Sequence, residues 1–502
     1  MSFRLSRVRE RPPQVGERAI RNELPLTLNV KSIPLALSYP LLLAGEGEDH
    51  ALFASISLPT LTSMTRRWAK LERVKPLALL LALLLSTALA APQLYIQPRD
   101  GIQPILTAIA GSKTNIRLKI YLFTDSRQDV IEALKAATKR GVDVRILLEK
   151  EPCCAAGVNT QIYLKLREAG LNVQFTKAFK FVFTHEKSFV IDDASAIIST
   201  SNITGSSFAS NREYQVVLND AVSVAEIARV FDADWKGEDI DLRDAKLIWS
   251  PSLTTGAGLV KGNARERLVG FIRGATKSLR VQHQNASDEE ILRELLAAQS
   301  RGVAVSFITS PKELSATNDL SGLERMQKAG VQVRYLLSQY VHAKVMLRDD
   351  NSAIIGSINL TGNSLNSNRE LAVQLEGGAA VAQLSAQLET DFKSGADTNP
   401  FLLPPLEGVS SALEMGQYLG RIGSFEGVVT AVESRAAVSF LKFGNSDFAP
   451  RAVVFPRIFD QFAQPFPDAY KGKRVRIQGR VQLYDDYYEV ILNSADQITV
   501  LP

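Results

Sequence analysis

The sequence predicts an α/β protein: two similar lobes forming one pseudo-twofold unit, followed by a small all-β barrel. Three observations carry this. First, the chain repeats itself. VIEALKAATKRGVDVRILLEK, LKLREAGLNVQF and THEKSFVIDDASAIISTSNITGSSFASNREYQVVL recur in the same order as ILRELLAAQSRGVAVSFITSPK, LERMQKAGVQVRY and VHAKVMLRDDNSAIIGSINLTGNSLNSNRELAVQL. Second, each copy alternates helical apolar spacing with short buried-strand runs. Third, after Asp397 the pattern turns to the Pro-rich TNPFLLPPLEG and then to β-rich segments. At 502 residues, with 45% hydrophobic and 22% charged residues, the chain has room for more than one core.

The order of elements starts with a targeting pattern. Residues 64–91 read MTRRWAKLERVKPLALLLALLLSTALAA. Arg66, Arg67, Lys70, Arg73 and Lys75 make a basic region, Leu77 to Leu85 an apolar one, and Ala88-Leu89-Ala90 a small-x-small cleavage site. This predicts a signal peptide over 64–90 and export to the periplasm or beyond, with a mature start near Ala91. Residues 1–63 are then read as lying ahead of the true start. An uncleaved anchor behind a short tail is the other reading. The apolar run is short for a membrane span. The only two cysteines, Cys153 and Cys154, are adjacent and match neither a disulfide framework nor a metal-ligand spacing. They are read as small loop residues.

Lobe 1 is placed at 92–250 and lobe 2 at 251–395. IEALKAATKRG and ILRELLAAQSRG are helices that stop at Gly141 and Gly302; VDVRILL and VAVSFIT are the strands that follow. Each copy then adds a helix, a strand and a hairpin, with KSFVI and AIIST around DDAS, and KVMLR and AIIGS around DDNS. Residues 396–415 read as a linker. Residues 416–502 read as about five strands, with a short helix at RIFDQF between the third and fourth. This resembles an OB-fold barrel of the kind appended to nucleic-acid enzymes.

Chemistry is carried by a His-x-Lys-x4-Asp pattern present twice: His185, Lys187, Asp192 and His342, Lys344, Asp349. The motif uses two of only four histidines. On a strand, residues two apart share a face, so His and Lys project together. A neutral imidazole is a competent nucleophile, and a second, protonated one can deliver a proton to a leaving oxygen. Lysines neutralise the non-bridging oxygens of a phosphodiester. Asn202 and Asn359, with Thr200 and Ser357, offer further hydrogen bonds. A carboxylate on the far ring nitrogen fixes a tautomer, and Glu213 and Glu370, each in an Asn-Arg-Glu triplet, are the candidates. His283 ends the strand LRVQH and is read as a buried, hydrogen-bonded residue near the site.

With these motifs the chain resembles the phospholipase D superfamily over nearly all of residues 92–395. The resemblance implies that both motifs meet in one active site at the lobe interface. It implies a phosphohistidine intermediate on His185, with His342 as acid and then base. Lys187, Lys344, Asn202 and Asn359 would bind phosphate, with Thr200 and Ser357 as lesser contacts and Asp192 and Asp349 in support. The first copy departs from the usual Gly-Ser, carrying Ser199-Thr200. No metal or cofactor is implied, and one chain completes the site.

Substrate is read from the barrel. Phe440, Phe443, Phe455, Tyr484, Tyr487 and Tyr488, with Lys442, Arg451, Lys473, Arg474, Arg476 and Arg480, would give stacking faces in a basic groove. The net charge of +5 is compatible with a phosphate-bearing partner. The favoured expectation is an exported nuclease acting on single-stranded nucleic acid. A phospholipase D acting on phosphatidylcholine or cardiolipin is the alternative, and a non-catalytic nucleic-acid-binding protein the third. A lipid synthase ranks lower.

Overall fold

Helices in both copies form where apolar residues recur on one face, and the lobe 2 helix adds a capping side chain. In Glu289–Ser300 the buried apolar residues are Ile291, Leu292, Leu295 and Ala298, and the Asp288 side chain accepts the Ile291 N–H at 3.1 Å. Its counterpart Gln128–Lys139 buries Val130, Ile131, Leu134 and Ala137. Both end as predicted at a glycine with positive φ, Gly141 at 91° and Gly302 at 87°. The computed structural model describes residues 91–502 except 153–156, 178–179, 253–260, 313–316, 436–437, 447 and 485–486. The expected leader, the signal peptide and the two cysteines lie outside these residues.

Lobe 1 contributes β1 (Gln93–Gln97), β2 (Asn115–Ile120), β3 (Asp143–Leu148), β4 (Asn172–Phe175), β5 (Ser188–Ile191), β6 (Ser195–Ser199) and β7 (Glu213–Leu218). They form one sheet in the order β1-β7-β6-β5-β2-β3-β4. Strands β2 to β4 are parallel; the β5–β6 hairpin, β7 and β1 run antiparallel. Lobe 2 repeats this with β8 (Ile248–Ser250), β9 (Ser278–His283), β10 (Ala304–Thr309), β11 (Gln332–Tyr335), β12 (Lys344–Arg348), β13 (Ser352–Gly356) and β14 (Glu370–Glu376), ordered β11-β10-β9-β12-β13-β14-β8. The two hairpins turn on Asp192-Asp193 and Asp349-Asp350, all four with φ between 51° and 55°. Asp tolerates that left-handed region, which tight hairpin turns require.

The lobe boundary differs from the expected 250/251. Strand β8 pairs with β14 in the second sheet, Ser250 against Glu370, so lobe 2 begins by Ile248. A three-residue strand carries no periodicity that a sequence reading can detect.

Burial explains the pairing of lobes. The outer face of each sheet packs against its own helices. The inner faces share a single core that joins Leu94, Ile96, Val190 and Tyr214 to Val345, Leu347, Leu371 and Trp249. The long helices Ala221–Lys236 and Gly378–Ser394 contribute Val224, Ile227, Val381 and Leu384 to it. Neither lobe can leave its partner without exposing this surface to water.

The repeat is not interchangeable at every position. A Cβ on Gly356 would lie 2.2 Å from the Leu371 carbonyl oxygen and 2.4 Å from the Ala372 Cα, whereas lobe 1 carries Ser199 at the matching position. Gly356→Ser, which copies lobe 1 into lobe 2, is therefore expected to lower unfolding free energy by about 1–3 kcal/mol. Urea titration followed by circular dichroism checks this; an unchanged midpoint would contradict it.

The expected linker 396–415 is packed. Asn399 Nδ2 donates to the Lys312 carbonyl at 2.8 Å, Phe401 is buried, and β15 (Val409–Ser411) pairs with the first long barrel strand. Ala412 and Met415 already belong to the barrel core, so that domain starts earlier than residue 416. The barrel closes through β16 (Ile422–Arg435), β17 (Val438–Phe443), β18 (Arg451–Val454), β19 (Arg474–Tyr484) and β20 (Tyr487–Leu492), since β19 pairs with β16 as well as with β20. The connection between its third and fourth strands carries two 3₁₀ turns, Pro456–Gln461 and Asp468–Tyr470, where a helix was expected.

Candidate active site

Both lobes build their half of the site from the same pieces. His185 and Lys187 lead into β5, while His342 and Lys344 lead into and open β12. Glu213 opens β7 and Glu370 opens β14. The turns carrying Asn202 and Asn359 follow β6 and β13.

The lobes then exchange partners. The His185 N–H donates to the Arg369 carbonyl at 2.9 Å, and the Arg369 N–H to the Phe183 carbonyl at 2.9 Å. Symmetrically, the His342 N–H donates to the Arg212 carbonyl at 3.2 Å, and the Arg212 N–H to the Tyr340 carbonyl at 2.9 Å. These bridges lay each histidine beside the opposite lobe's Asn-Arg-Glu triplet. Glu370 thereby meets His185 Nδ1 at 2.8 and 2.9 Å, and Glu213 meets His342 Nδ1 at 2.8 Å. Ser364 Oγ donates to Glu370 at 2.6 Å and Thr200 Oγ1 to Glu213 at 2.6 Å. A carboxylate on Nδ1 keeps the proton there and leaves Nε2 for chemistry.

Burial sets the charges. The two histidines are only 8% and 9% exposed. Burial holds His185 down to about 4; Glu370 pulls the other way, and Lys187 and Lys344 add to the lowering. His342 is lowered for the same reasons, against the pull of Glu213. Burial brings Lys344 down to about 8 and Lys187 well below the usual ammonium range. For both glutamates burial pushes upward, but the facing histidine and lysine outweigh it and the carboxyls end lowered. The result is a neutral His185 imidazole, and a His342 whose protonation Glu213 favours against burial and the lysines.

The halves differ around the lysines. Lys187 Nζ donates to the His185 carbonyl at 2.5 Å and sits 4.9 Å from the Tyr121 ring, which is edge-on to His185 at 4.4 Å. Lys344 Nζ donates to the His342 carbonyl at 2.5 Å and to Gln284 Oε1 at 3.1 Å. His283 stands opposite Lys344 in the β9–β12 ladder, 1% exposed. Its Nδ1 has no partner among the described residues, while a backbone hydrogen bond with Asn285 serves the ring, as expected of a buried histidine. The Oδ1 atoms of Asn202 and Asn359 are likewise buried without a partner among the described residues.

Four of the expected residues are placed otherwise. The Asp192 carboxylate accepts the N–H groups of Lys113, Thr114 and Asn115, and that of Asp349 accepts those of Thr276, Lys277 and Ser278. Each pins the loop before β2 or β9 at the hairpin end of the sheet, a strand's length from the histidines. The Thr200 hydroxyl is occupied by Glu213, as above. The Ser357 hydroxyl bonds the Leu371 backbone, accepting its N–H at 3.1 Å and donating to its carbonyl at 3.3 Å.

Other residues were not singled out in the sequence. Arg369 pairs through Nε and Nη2 with Asp234 at 2.9 and 3.0 Å, and Arg212 with Asp391 at 2.7 and 3.0 Å. Lys119 Nζ joins the first pair, bonding Asp234 at 2.8 Å and Glu186 at 2.9 Å. The repeat held this signal: Asp234-Trp235-Lys236 matches Asp391-Phe392-Lys393, and Arg stands in both triplets. Tyr121 and Gln284 follow matching strands but share no chemistry, so nothing in the sequence pointed to them.

Among the described residues, five of the six cations expected to line a basic groove are engaged within the barrel or its approach. Arg451 pairs with Glu489 at 2.8 Å and lies between the rings of Tyr487 and Phe440, at 3.8 and 4.1 Å. Glu426 takes Arg474 and Arg476 at 2.9 and 2.6 Å, Glu433 takes Lys442 at 3.1 Å, and Arg480 donates to the carbonyls of Phe401 and Gly420. Phe440 and Phe443 are buried, and the Tyr488 hydroxyl donates to the Leu337 carbonyl at 3.4 Å; Phe455 and Tyr484 are exposed.

Comparisons with known proteins agree with this geometry. The family described as "Cardiolipin synthase, PLD-like domain" matches residues 105–235 and 268–394, together just over half of the chain. A probable cardiolipin synthase (YwiE) of Bacillus subtilis is 22% identical over 59% of this chain and 65% of its own length. Cardiolipin synthase A of Wigglesworthia glossinidia brevipalpis is 24% identical over 56% of this chain and 63% of its own. The chain thus spans a little under two thirds of each of these two relatives. Both of these relatives are named for a phospholipid and neither for a nucleic acid, so they do not support the favoured nuclease expectation. Among solved structures, a phospholipase D family member, Nuc, from Salmonella typhimurium is 25% identical, with a TM-score of 0.27, over 29% of this chain and 94% of that one. With two copies of the domain and a paired-histidine centre between them, this chain belongs to the phospholipase D superfamily, a family of phosphodiester-transforming enzymes.

Proposed function

We propose that the chain transforms a phospholipid phosphodiester, passing the phosphatidyl group through His185 to water or to an alcohol. The reciprocal His–Glu pairs carry the reaction type. His185 Nε2 attacks phosphorus, and the bond to the leaving oxygen breaks as His342, entering as the imidazolium that Glu213 supports, gives up its Nε2 proton to it. The acceptor oxygen then attacks phosphorus, gives its proton to His342, and the P–N bond breaks. Lys187, Lys344, Asn202 and Asn359 hold the non-bridging oxygens. The names of the curated relatives support lipid over nucleic acid, as does the engagement of most of the expected barrel cations within the protein. Export by residues 64–90 belongs to the same reading, and N-terminal sequencing of the mature protein should begin near Ala91.

The test is direct. Purified mature protein with vesicles of phosphatidylglycerol or phosphatidylcholine should yield cardiolipin plus glycerol, or phosphatidic acid plus choline. Cleavage of single-stranded DNA in EDTA with no lipid turnover would reverse the reading.

The pH profile is a second check. A p-nitrophenolate leaving group departs without a proton, so its acid limb reports His185 and its alkaline limb the two lysines, both lowered by burial. His185 stays neutral down to about pH 4, and Lys344 loses its charge above about pH 8. The kcat/KM for a p-nitrophenyl phosphodiester should therefore fall about tenfold per pH unit well below pH 4, and its alkaline fall should begin no later than about pH 8. A plateau extending past pH 10 would exclude a role for the Lys344 charge.

A further inference from the structure

Arg212 and Arg369 sit where the two halves of the interface meet the two halves of the site. Each makes three attachments. Its guanidinium forks onto an aspartate of a long helix, Asp391 for Arg212 and Asp234 for Arg369. Its carbonyl receives the N–H of the opposite lobe's histidine. Its neighbour in sequence is the glutamate on that histidine's Nδ1. Both guanidiniums are buried, at 6% and 0% exposure, so the forks are not exchanged for water.

We infer that Arg369 and Arg212 are positioning residues, each acting through its adjacent glutamate on one histidine: Arg369 on His185 and Arg212 on His342. A bidentate fork fixes direction as well as charge. It leaves the following residue one placement of its carboxylate, and thereby its histidine one ring orientation. The two clamps are separate in space and in partner, so loosening one disturbs one histidine. The assignment of each clamp to a chemical step rests on the roles proposed above for His185 and His342; the clamp itself does not.

Arg→Lys is the informative change. It keeps a counter-charge for the buried aspartate but removes the fork. Full-length protein is assayed with two phosphodiesters, one releasing p-nitrophenolate and one releasing an alkyl alcohol. Arg369→Lys should slow the first turnover of both by about 10- to 100-fold, because His185 attacks in both. Arg212→Lys should slow the alkyl ester by a similar factor and leave the p-nitrophenyl burst within roughly threefold, because that leaving group needs no proton from His342. Histidine nitrogen NMR gives a readout independent of turnover, since the chain has only four histidines. Arg369→Lys should move the His185 signals and spare those of His342, and Arg212→Lys the reverse. Equal losses on both esters in both variants, or the same histidine moving in both, would overturn the inference. If the wild type turns over neither ester, the proposed function falls, and the NMR criterion alone decides the clamp.

Discussion

Replacing His185 with asparagine is expected to reduce phosphodiester turnover by about 10⁴-fold or more, with the fold intact. The magnitude follows from the loss of a nucleophile that acts as a unit with its partners. Asparagine approximates the size of imidazole and leaves Glu370 a hydrogen-bond donor, so the buried carboxylate is not stranded. The measurements are a chromogenic phosphodiester assay and an unfolding curve. Residual activity within tenfold of wild type would remove His185 from the nucleophilic role. His342→Asn provides the contrast: with a p-nitrophenolate leaving group its first turnover should persist and the intermediate should accumulate, because the second step still needs a base. Acid-labile phosphate on the protein, seen by rapid quench, is the sign of that intermediate.

The second large effect is on stability. Asp234→Ala is expected to destabilise the lobe pair by about 3–5 kcal/mol, the cost of stranding buried charge. Asp234 serves two cations that are both 0% exposed, Lys119 and Arg369, and lies 4.0 Å from a third, Lys180. Without it, Glu186 remains bonded to Lys119, and Arg369 loses its carboxylate altogether. Asp391→Ala should cost less, because its partners are one cation, Arg212, and the neutral amides of Gln282 and Gln387. Burial pushes the Asp234 carboxyl upward, but Arg369 and Lys119 outweigh it and hold it at about 2. Its stabilisation is thus present above the unfolded carboxylate range and is lost as pH falls through about 2. Trp249, in the shared core and 5.9 Å from the Arg369 guanidinium, is a natural fluorescent reporter for urea titration. Equal midpoints for the two alanine variants would show that the asymmetry has no energetic consequence.

Much of this protein is legible without coordinates. The repeat reveals two lobes because the same helix stops, buried strands and hairpins recur in order, ending at Gly141 and Gly302 or turning on paired aspartates. The site is legible through His185, Lys187, His342 and Lys344 because a period of two puts each pair on one face. Glu213 and Glu370 were legible as carboxylate candidates because they recur in the same triplet. The aspartates misled: Asp192 and Asp349 recur as faithfully as the histidines, yet they hold backbone N–H groups at the far end of the hairpin. Repetition marks what the fold needs as well as what the reaction needs. The barrel misled in another way, since a count of cations says nothing about Glu426, Glu433 and Glu489 standing beside them.

By itself the sequence determined the two lobes, the barrel and the candidate side chains of the site, because local periodicity and residue chemistry are written along the chain. Only the tertiary structure decided that the halves are reciprocal. Glu370 belongs to His185 and Glu213 to His342 because parallel bridges at Thr184–Arg369 and Arg212–Val341 cross the lobe interface. A hydrogen bond between residues 185 positions apart has no local signature. It forms because the inner faces of two sheets must be buried against each other, and that packing carries the glutamate of one lobe to the histidine of the other.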